Sequence, residues 1–226
     1  MGILTNLTAE DGHRFSAYIA APPNCGNGGT PKAGLVVVQE IFGVNSHIRA
    51  VADSYAAEGY HCVAPALFDR TQRDVELGYS ADDVAAGRAL RGKLSWAEVM
   101  KDINTAIAAA SSAGRVGMVG YCFGGSVTWL AACAANGLSA ASCYYGGNWA
   151  ELAEQVPACP TMLHFGAKDA HIPVSLAESM KARHPAIATH VYDADHGFNC
   201  EQRGSYNATA ATLARRRTLS LFDAVL

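Results

Sequence analysis

The stretch Arg115-Val-Gly-Met-Val-Gly-Tyr-Cys122-Phe-Gly-Gly-Ser126 decides the fold. Apolar residues run up to Gly120, a Gly-x-Cys-x-Gly-Gly turn follows, and the Ala-rich segment Ser126 to Ala135 reads as a helix. Strand, tight turn and helix are the context of a nucleophile elbow, here with sulfur where such turns commonly carry a serine oxygen. The spacing has a physical reason. The residue at the tip of the turn is forced into a strained backbone conformation, and the turn leaves no room for side chains at Gly120 and Gly124. Cys122 then stands above the sheet at the N-terminus of the following helix, where the helix dipole and a nearby base both favour thiolate. The competing reading is a buried cysteine beside an ordinary Gly-rich turn. Partners elsewhere in the chain decide between the two.

Outward from this turn, strands and helices alternate. Upstream, Gly34-Leu-Val-Val-Val-Gln39 is a continuous apolar strand of the kind buried on both faces of a parallel sheet. It runs into the loop Gln39-Glu40-Ile41-Phe42-Gly43-Val44-Asn45. A helix over 46–58 and a short strand over His61–Ala64 follow, the strand stopped by Pro65. Residues 66–79 carry Arg70 and Arg73 without a clear period and read as a loop. Helices follow at about 80–91 and 95–112. In the second, Trp96, Val99, Met100, Ile103, Ile107 and Ala110 share one face, the pattern of core packing. Downstream come strands at Ser139–Tyr144 and Pro160–Gly166, a helix from Pro173, a last strand at Thr189–Tyr192 and a closing helix over 206–224. At the N-terminus, residues 3–8 and 13–20 read as paired strands around Glu10-Asp11-Gly12. Pro22 to Pro31 reads as a surface loop.

This alternation predicts an α/β fold, a mostly parallel central sheet with helices on both faces, in a single domain spanning residues 1–226. Chemistry in such sheets sits outside the carboxyl ends of the strands. Glu40, Cys122, Tyr145, Asp169 and His196 all fall just after predicted strand ends.

Composition narrows the classes further. Of 226 residues, 50% are hydrophobic, enough for one sizeable core and too few residues for two full domains. The net charge of -3 points to neither nucleic acid nor an anionic membrane surface as a partner. Seven cysteines, an odd number without a CxxC pair, suit a reducing compartment rather than a disulfide framework or a zinc site. No targeting pattern and no membrane-spanning apolar run is read, so the expectation is a soluble cytoplasmic protein, monomeric or a small homo-oligomer.

Chain order adds a second test. Cys122, Asp169, His196 runs nucleophile, acid, base, similar to the order in α/β-hydrolases. Cys122 would attack an acyl carbon and form a thioester. His196 would move protons between the sulfur, water and the leaving group. Asp169 would fix the tautomer of His196 and stabilise its charged form. The alternative for Asp169 is a helix cap, since it precedes the helix at Pro173. Asp193 and Asp195 are rivals on the histidine's own loop. Of eight histidines, His196 alone follows a terminal strand in the right order, while mid-strand His164 reads as a packed core residue. Two backbone N–H groups must hold the oxyanion. The residue after the nucleophile, Phe123, and Ile41 on the loop after the first central strand are the candidates.

Gln39-Glu-Ile-Phe-Gly-Val-Asn45, Gly120-Tyr-Cys-Phe-Gly-Gly125, Tyr144-Tyr-Gly146, Asp169 and His196-Gly-Phe198 together resemble the dienelactone hydrolase family. The resemblance implies a single-domain α/β-hydrolase fold and hydrolysis of an enol-lactone, as in carboxymethylenebutenolidase, with no metal or organic cofactor. It implies that Glu40 pairs with the resting thiol and helps generate the thiolate when substrate arrives. It further implies an arginine after the third strand that binds the substrate carboxylate, a position matched by Arg70, with Tyr145 beside the same substrate. The family's second arginine stands four residues beyond the histidine. Here that residue is Cys200, and Arg203, three residues further on, is the candidate to replace it.

Two other classes remain open at this level. One is metal-assisted hydrolysis through His164, Asp169, His171, Asp193, Asp195 and His196, although their spacing matches no standard ligand pattern. The other is a non-catalytic small-molecule binding protein on a hydrolase scaffold.

Overall fold

In this computed structural model, residues 2–23, 25 and 29–226 are described. Residues 24 and 26–28 of the expected Pro22–Pro31 loop lie outside them. The six residues of β3 (Ala33–Val38) are all buried, so the strand must be covered on both faces. Leu35 and Val37 pack in one apolar cluster with Ile48, Val51 and Tyr55 of α1 (Ser46–Ala57) and Phe222 of α7 (Ala208–Val225). The alternating residues Val36 and Val38 pack in a second cluster with Val99, Ile103 and Ile107 of α3 (Trp96–Ala110). The stripe on α3 is therefore core, as its spacing requires.

The sheet has eight strands in the order β1-β2-β4-β3-β5-β6-β7-β8. β1 (Ile3–Thr8) and β2 (Arg14–Ala20) form an antiparallel edge. From β4 (Tyr60–Pro65) through β3, β5 (Val116–Tyr121), β6 (Leu138–Tyr144) and β7 (Thr161–Gly166) to β8 (Ala188–Tyr192), neighbours are parallel. Helix starts follow from local chemistry. Ser80 and Asp83 form a capping box at α2 (Ala81–Arg91), as do Ser95 and Glu98 at α3, and Asn45 caps α1. Pro173 sits at the N-cap of α6 (Val174–Arg183), one residue before the helical turn expected to contain it. Two short elements carried no sequence period: a 3-10 turn at Leu67–Arg70 and the single turn α5 (Trp149–Leu152).

The elbow lies between β5 and α4 (Phe123–Ala134). Cys122 has φ 55° and ψ -117°, a region that L residues seldom occupy. A Cβ on Gly120 would overlap the carbonyl of Gly124, and one on Gly124 would overlap the carbonyls of Val38 and Gln39. Helix and strand thus touch through bare backbone, which brings the start of α4 down onto β3. Gly124→Ala should cost at least about 2 kcal/mol in urea unfolding, by overpacking that backbone cannot relieve. Gly204→Ala, where an added Cβ meets nothing within 4 Å, should leave the midpoint unchanged.

Candidate active site

The loops after β3, β5, β6, β7 and β8 converge at one end of the sheet around a cavity of 260 Å³. Cys122, Phe123, Ile41, Tyr145, His196 and Arg203 line it. Asp169 and Glu40 stand behind this lining and are buried.

Asp169 closes β7 with both oxygens committed. Oδ1 accepts from the backbone N–H groups of His171 (2.8 Å) and Ile172 (3.0 Å), and Oδ2 lies 2.7 Å from His196 Nδ1. Burial would raise this carboxyl, but His196 and the two N–H groups hold it below its usual range. The rivals are placed differently. Asp193 pairs with Lys168 at the surface, and Asp195 accepts from the backbone N–H of His196. His196 reaches Asp169 through Nδ1, so Nε2 is its other ring nitrogen. Burial opposes a charge on the ring, but the neighbouring Cys122 sulfur and Asp169 outweigh it and push the imidazole up to about 10. A ring that keeps its proton at neutral pH stabilises negative charge on the adjacent sulfur and can protonate a leaving group.

Phe123 is the first residue of α4, so its N–H has no intrahelical partner. Ile41 sits across the cavity on a loop held by a buried side chain. Gln39 accepts from Leu67 N–H (3.0 Å) and donates to the Glu40 carbonyl (3.2 Å), tying the loop after β3 to the turn after β4. Tyr145, at φ 36°, turns its ring to 5.1 Å from that of His196. Its hydroxyl is buried without a partner.

Glu40 is wholly buried, and one of its oxygens, Oε1, accepts from Arg203 at 3.2 Å. Arg203 therefore occupies both the cavity wall and the counter-ion position of Glu40. Cys200 is buried next to this loop rather than facing the cavity wall.

Arg70 requires a correction. It does not line the cavity. Its Nε and Nη2 make 2.8 Å bonds to the two oxygens of Asp102 on α3, and Nη1 bonds Asp11 in the β1–β2 turn at 3.0 Å. Asp102 is fully buried, and the paired guanidinium is what makes that burial tolerable. Position along the chain located the loop correctly and said nothing about which acid the arginine would find. The cations that do reach the cavity are Arg88 and Arg91 on α2, together with Arg203. Arg91 is fixed by stacking on Trp96 (4.2 Å) and Phe123 (4.9 Å) and by donation to the Leu94 carbonyl. The signal for them was the three-residue spacing, which puts both arginines on one side of a helix. His171, whose ring lies 5.6 Å from that of His196, was likewise missed as a lining residue.

His164 is a core residue, bonded to Tyr192 (2.8 Å), Ser142 and Thr218. Among the described residues, the residues of the metal-hydrolase alternative form no group of three with converging donors. No helix of the described residues is long and apolar enough to cross a membrane. Cys62, Cys122, Cys133, Cys143, Cys159 and Cys200 are free thiols.

An elbow at the carboxyl edge of a mostly parallel sheet, with an acid-histidine pair from the loops after β7 and β8, defines an α/β-hydrolase. Residues 15–226 match the dienelactone hydrolase family, and the chain belongs to it as a hydrolase of the carboxylic ester class. The chain is 34% identical to a "Putative carboxymethylenebutenolidase" of Synechocystis sp., covering 94% of this chain and 93% of that protein. It is 32% identical to "Carboxymethylenebutenolidase 1" of Cupriavidus pinatubonensis, covering 95% and 94%. The crystal structure of a "Putative Dienelactone Hydrolase" from Klebsiella pneumoniae superposes with a TM-score of 0.85 at 31% identity, over 99% of both chains.

Arg70→Ala should leave KM for every substrate unchanged and destabilise the fold by about 3–5 kcal/mol, because it strands the Asp102 charge in the core. Urea unfolding and steady-state kinetics on the same preparation separate the two effects. A raised KM with unaltered stability would return Arg70 to the substrate site.

Proposed function

We propose that this single-domain enzyme hydrolyses small anionic enol-lactones or similarly activated esters through an acyl-thioester on Cys122. The observation that carries the reading is the strained Cys122 at the mouth of α4, facing the same cavity as a histidine held 2.7 Å from a buried aspartate. The sulfur attacks the carbonyl carbon, and the carbonyl π electrons move onto oxygen, where the Ile41 and Phe123 N–H groups receive the charge. Collapse of the tetrahedral intermediate expels the leaving oxygen, which takes the proton from His196 Nε2 and leaves the ring neutral. Water, deprotonated by His196, then cleaves the thioester and regenerates the thiol. Asp169 keeps Nδ1 protonated throughout and leaves Nε2 to carry the proton.

A thiolate nucleophile constrains the substrate. The intermediate must lose the substrate's oxygen in preference to sulfur, which an enolate does readily and a simple alkoxide does poorly. Charge constrains it further. Arg88, Arg91 and Arg203 all line a cavity to which no acidic side chain among the described residues contributes wall. A substrate carboxylate drawn to Arg203 competes with Glu40 for that guanidinium. Glu40, left with its charge uncompensated in a buried position, becomes basic enough to take the thiol proton. The anionic substrate in this way helps to generate the thiolate that attacks it. A cytoplasmic setting accords with the free thiols.

The acid is tested by kcat/KM with an enol-lactone for Asp169→Asn against Asp193→Asn and Asp195→Asn. Asp169→Asn should lose roughly 10²–10⁴-fold, and the other two should stay within a few-fold of wild type. Equal losses, or the largest at Asp195, reassign the histidine's partner. Charge recognition is tested with a carboxylate-bearing lactone and its neutral amide analogue. Arg91→Ala should raise KM for the charged lactone by about 1.5–3 kcal/mol in binding and leave the neutral one nearly unchanged. No discrimination in any of Arg91→Ala, Arg88→Ala and Arg203→Ala would mean that the enzyme acts on neutral substrates.

A further inference from the structure

Behind the cavity wall, Glu40, His47 and Cys200 are all buried, and one donor atom from each lies within 4.8 Å of the others. They come from three separate segments: the loop after β3, the first turn of α1 and the loop after β8. Two of the three have unused hydrogen-bonding capacity. Glu40 Oε1 is taken by Arg203, whereas Oε2 is buried with no partner. His47 is wholly buried, and neither ring nitrogen has an aligned hydrogen bond. Orphaned polar atoms at such depth are costly, and a carboxylate oxygen and an imidazole nitrogen gathered beside one thiol call for a ligand.

We propose that Glu40, His47 and Cys200 form a binding site for a thiophilic divalent cation of the Zn²⁺ type, and that its occupation inhibits the hydrolase. The donor set is one thiolate, one imidazole and one carboxylate. That combination selects Zn²⁺ over Mg²⁺ or Ca²⁺, which require oxygen donors. Ligands at 2.0–2.3 Å in a tetrahedron stand about 3.3–3.8 Å apart, so modest side-chain rotation closes the existing group around an ion. The outer nitrogen of His47 supports the assignment. Nδ1 lies 3.3 Å from the carboxylate of Glu201, close enough for a small ring rotation to complete a hydrogen bond. A carboxylate on Nδ1 leaves Nε2 with the lone pair a metal takes, the usual arrangement behind a ligating histidine. Glu201 and Asn199, which neighbour Cys200 in the chain, line a separate open cavity of 410 Å³ that shares no lining residue with the substrate cavity.

Binding replaces the Cys200 S–H bond with an S–Zn bond, and the proton goes to solvent, one per ion. Glu40 binds through Oε2 and keeps Arg203 on Oε1. The fourth tetrahedral position is left for water. No redox partner is needed. Inhibition follows because a carboxylate that coordinates Zn²⁺ cannot take the Cys122 proton. The inhibitory part rests on the role proposed for Glu40, while the site itself does not.

The test titrates chelator-stripped protein with ZnSO4 in competition with a chromophoric chelator, and separately with Co²⁺, followed by absorption. Cys122→Ala is the reference, so that the reactive thiol cannot be the ligand and turnover is not needed. It should bind one equivalent, undisturbed by millimolar Mg²⁺, with a near-ultraviolet thiolate-to-cobalt band. Adding Cys200→Ser, a nearly isosteric change, should abolish the band and weaken Zn²⁺ at least about tenfold. Adding His47→Gln should weaken it by a similar factor. In the otherwise unaltered enzyme, one equivalent of Zn²⁺ should depress kcat and excess chelator should restore it. Cys200→Ser alone should hydrolyse normally and lose that sensitivity. Absence of stoichiometric binding by Cys122→Ala, or a cobalt band that survives Cys200→Ser, overturns the site. Zinc inhibition that persists unchanged in Cys200→Ser places the inhibitory ion on the catalytic thiol instead and overturns the regulatory claim.

Discussion

Cys122 holds a backbone conformation worth about 1–3 kcal/mol of strain, and the surrounding structure exists in the form needed to hold it there. Two glycines let the start of α4 lie on the backbone of β5 and β3. Two buried strands beneath them prevent the turn from relaxing. What the strain achieves is position: the sulfur sits at the N-terminus of α4, in the cavity that Phe123 and His196 also line. The other groups at the site are placed relative to that point by loops leaving the same edge of the sheet and by α2, which carries Arg88 and Arg91.

Buried charge is the second constraint, and the chain handles it twice in different ways. Asp102 and Arg70 form a closed pair, with both acid oxygens and three guanidinium nitrogens bonded. Such a pair has nothing left to offer a substrate and serves as a bolt between α3 and the β1–β2 turn. Glu40 and Arg203 form an open pair. One acid oxygen is unbonded and the arginine faces the cavity, so an incoming anion can disturb the balance. The difference between a structural and a reactive ion pair lies here in the unused valences, and residue type does not reveal it.

That distinction marks where the sequence could and could not be read. The parallel sheet was legible because Val36 and Val38 face one core and Leu35 and Val37 the other, which requires an unbroken apolar run. The elbow was legible because the glycine spacing has one good steric explanation. Arg70 was misjudged because loop position fixes where a side chain begins and leaves its partner open; Asp102, an acid embedded in the apolar stripe of α3, was the clue to it. Arg88 and Arg91 were read only as helix residues, since their three-residue spacing gains meaning once α2 is known to overhang the cavity. His47 left no sequence signal, because its depth depends on how α1 packs beneath the loop after β8. The turn α5 was too short to show a period.

The central claim is that Cys122 is acylated on the path to product. Rapid-quench mass spectrometry during turnover of an activated ester tests it most directly, with the chain digested under acid so that a thioester survives. The account predicts the acyl mass on the peptide containing Cys122, lost on treatment with hydroxylamine. Product release with no adduct on that peptide, or with the adduct on another residue, would contradict it.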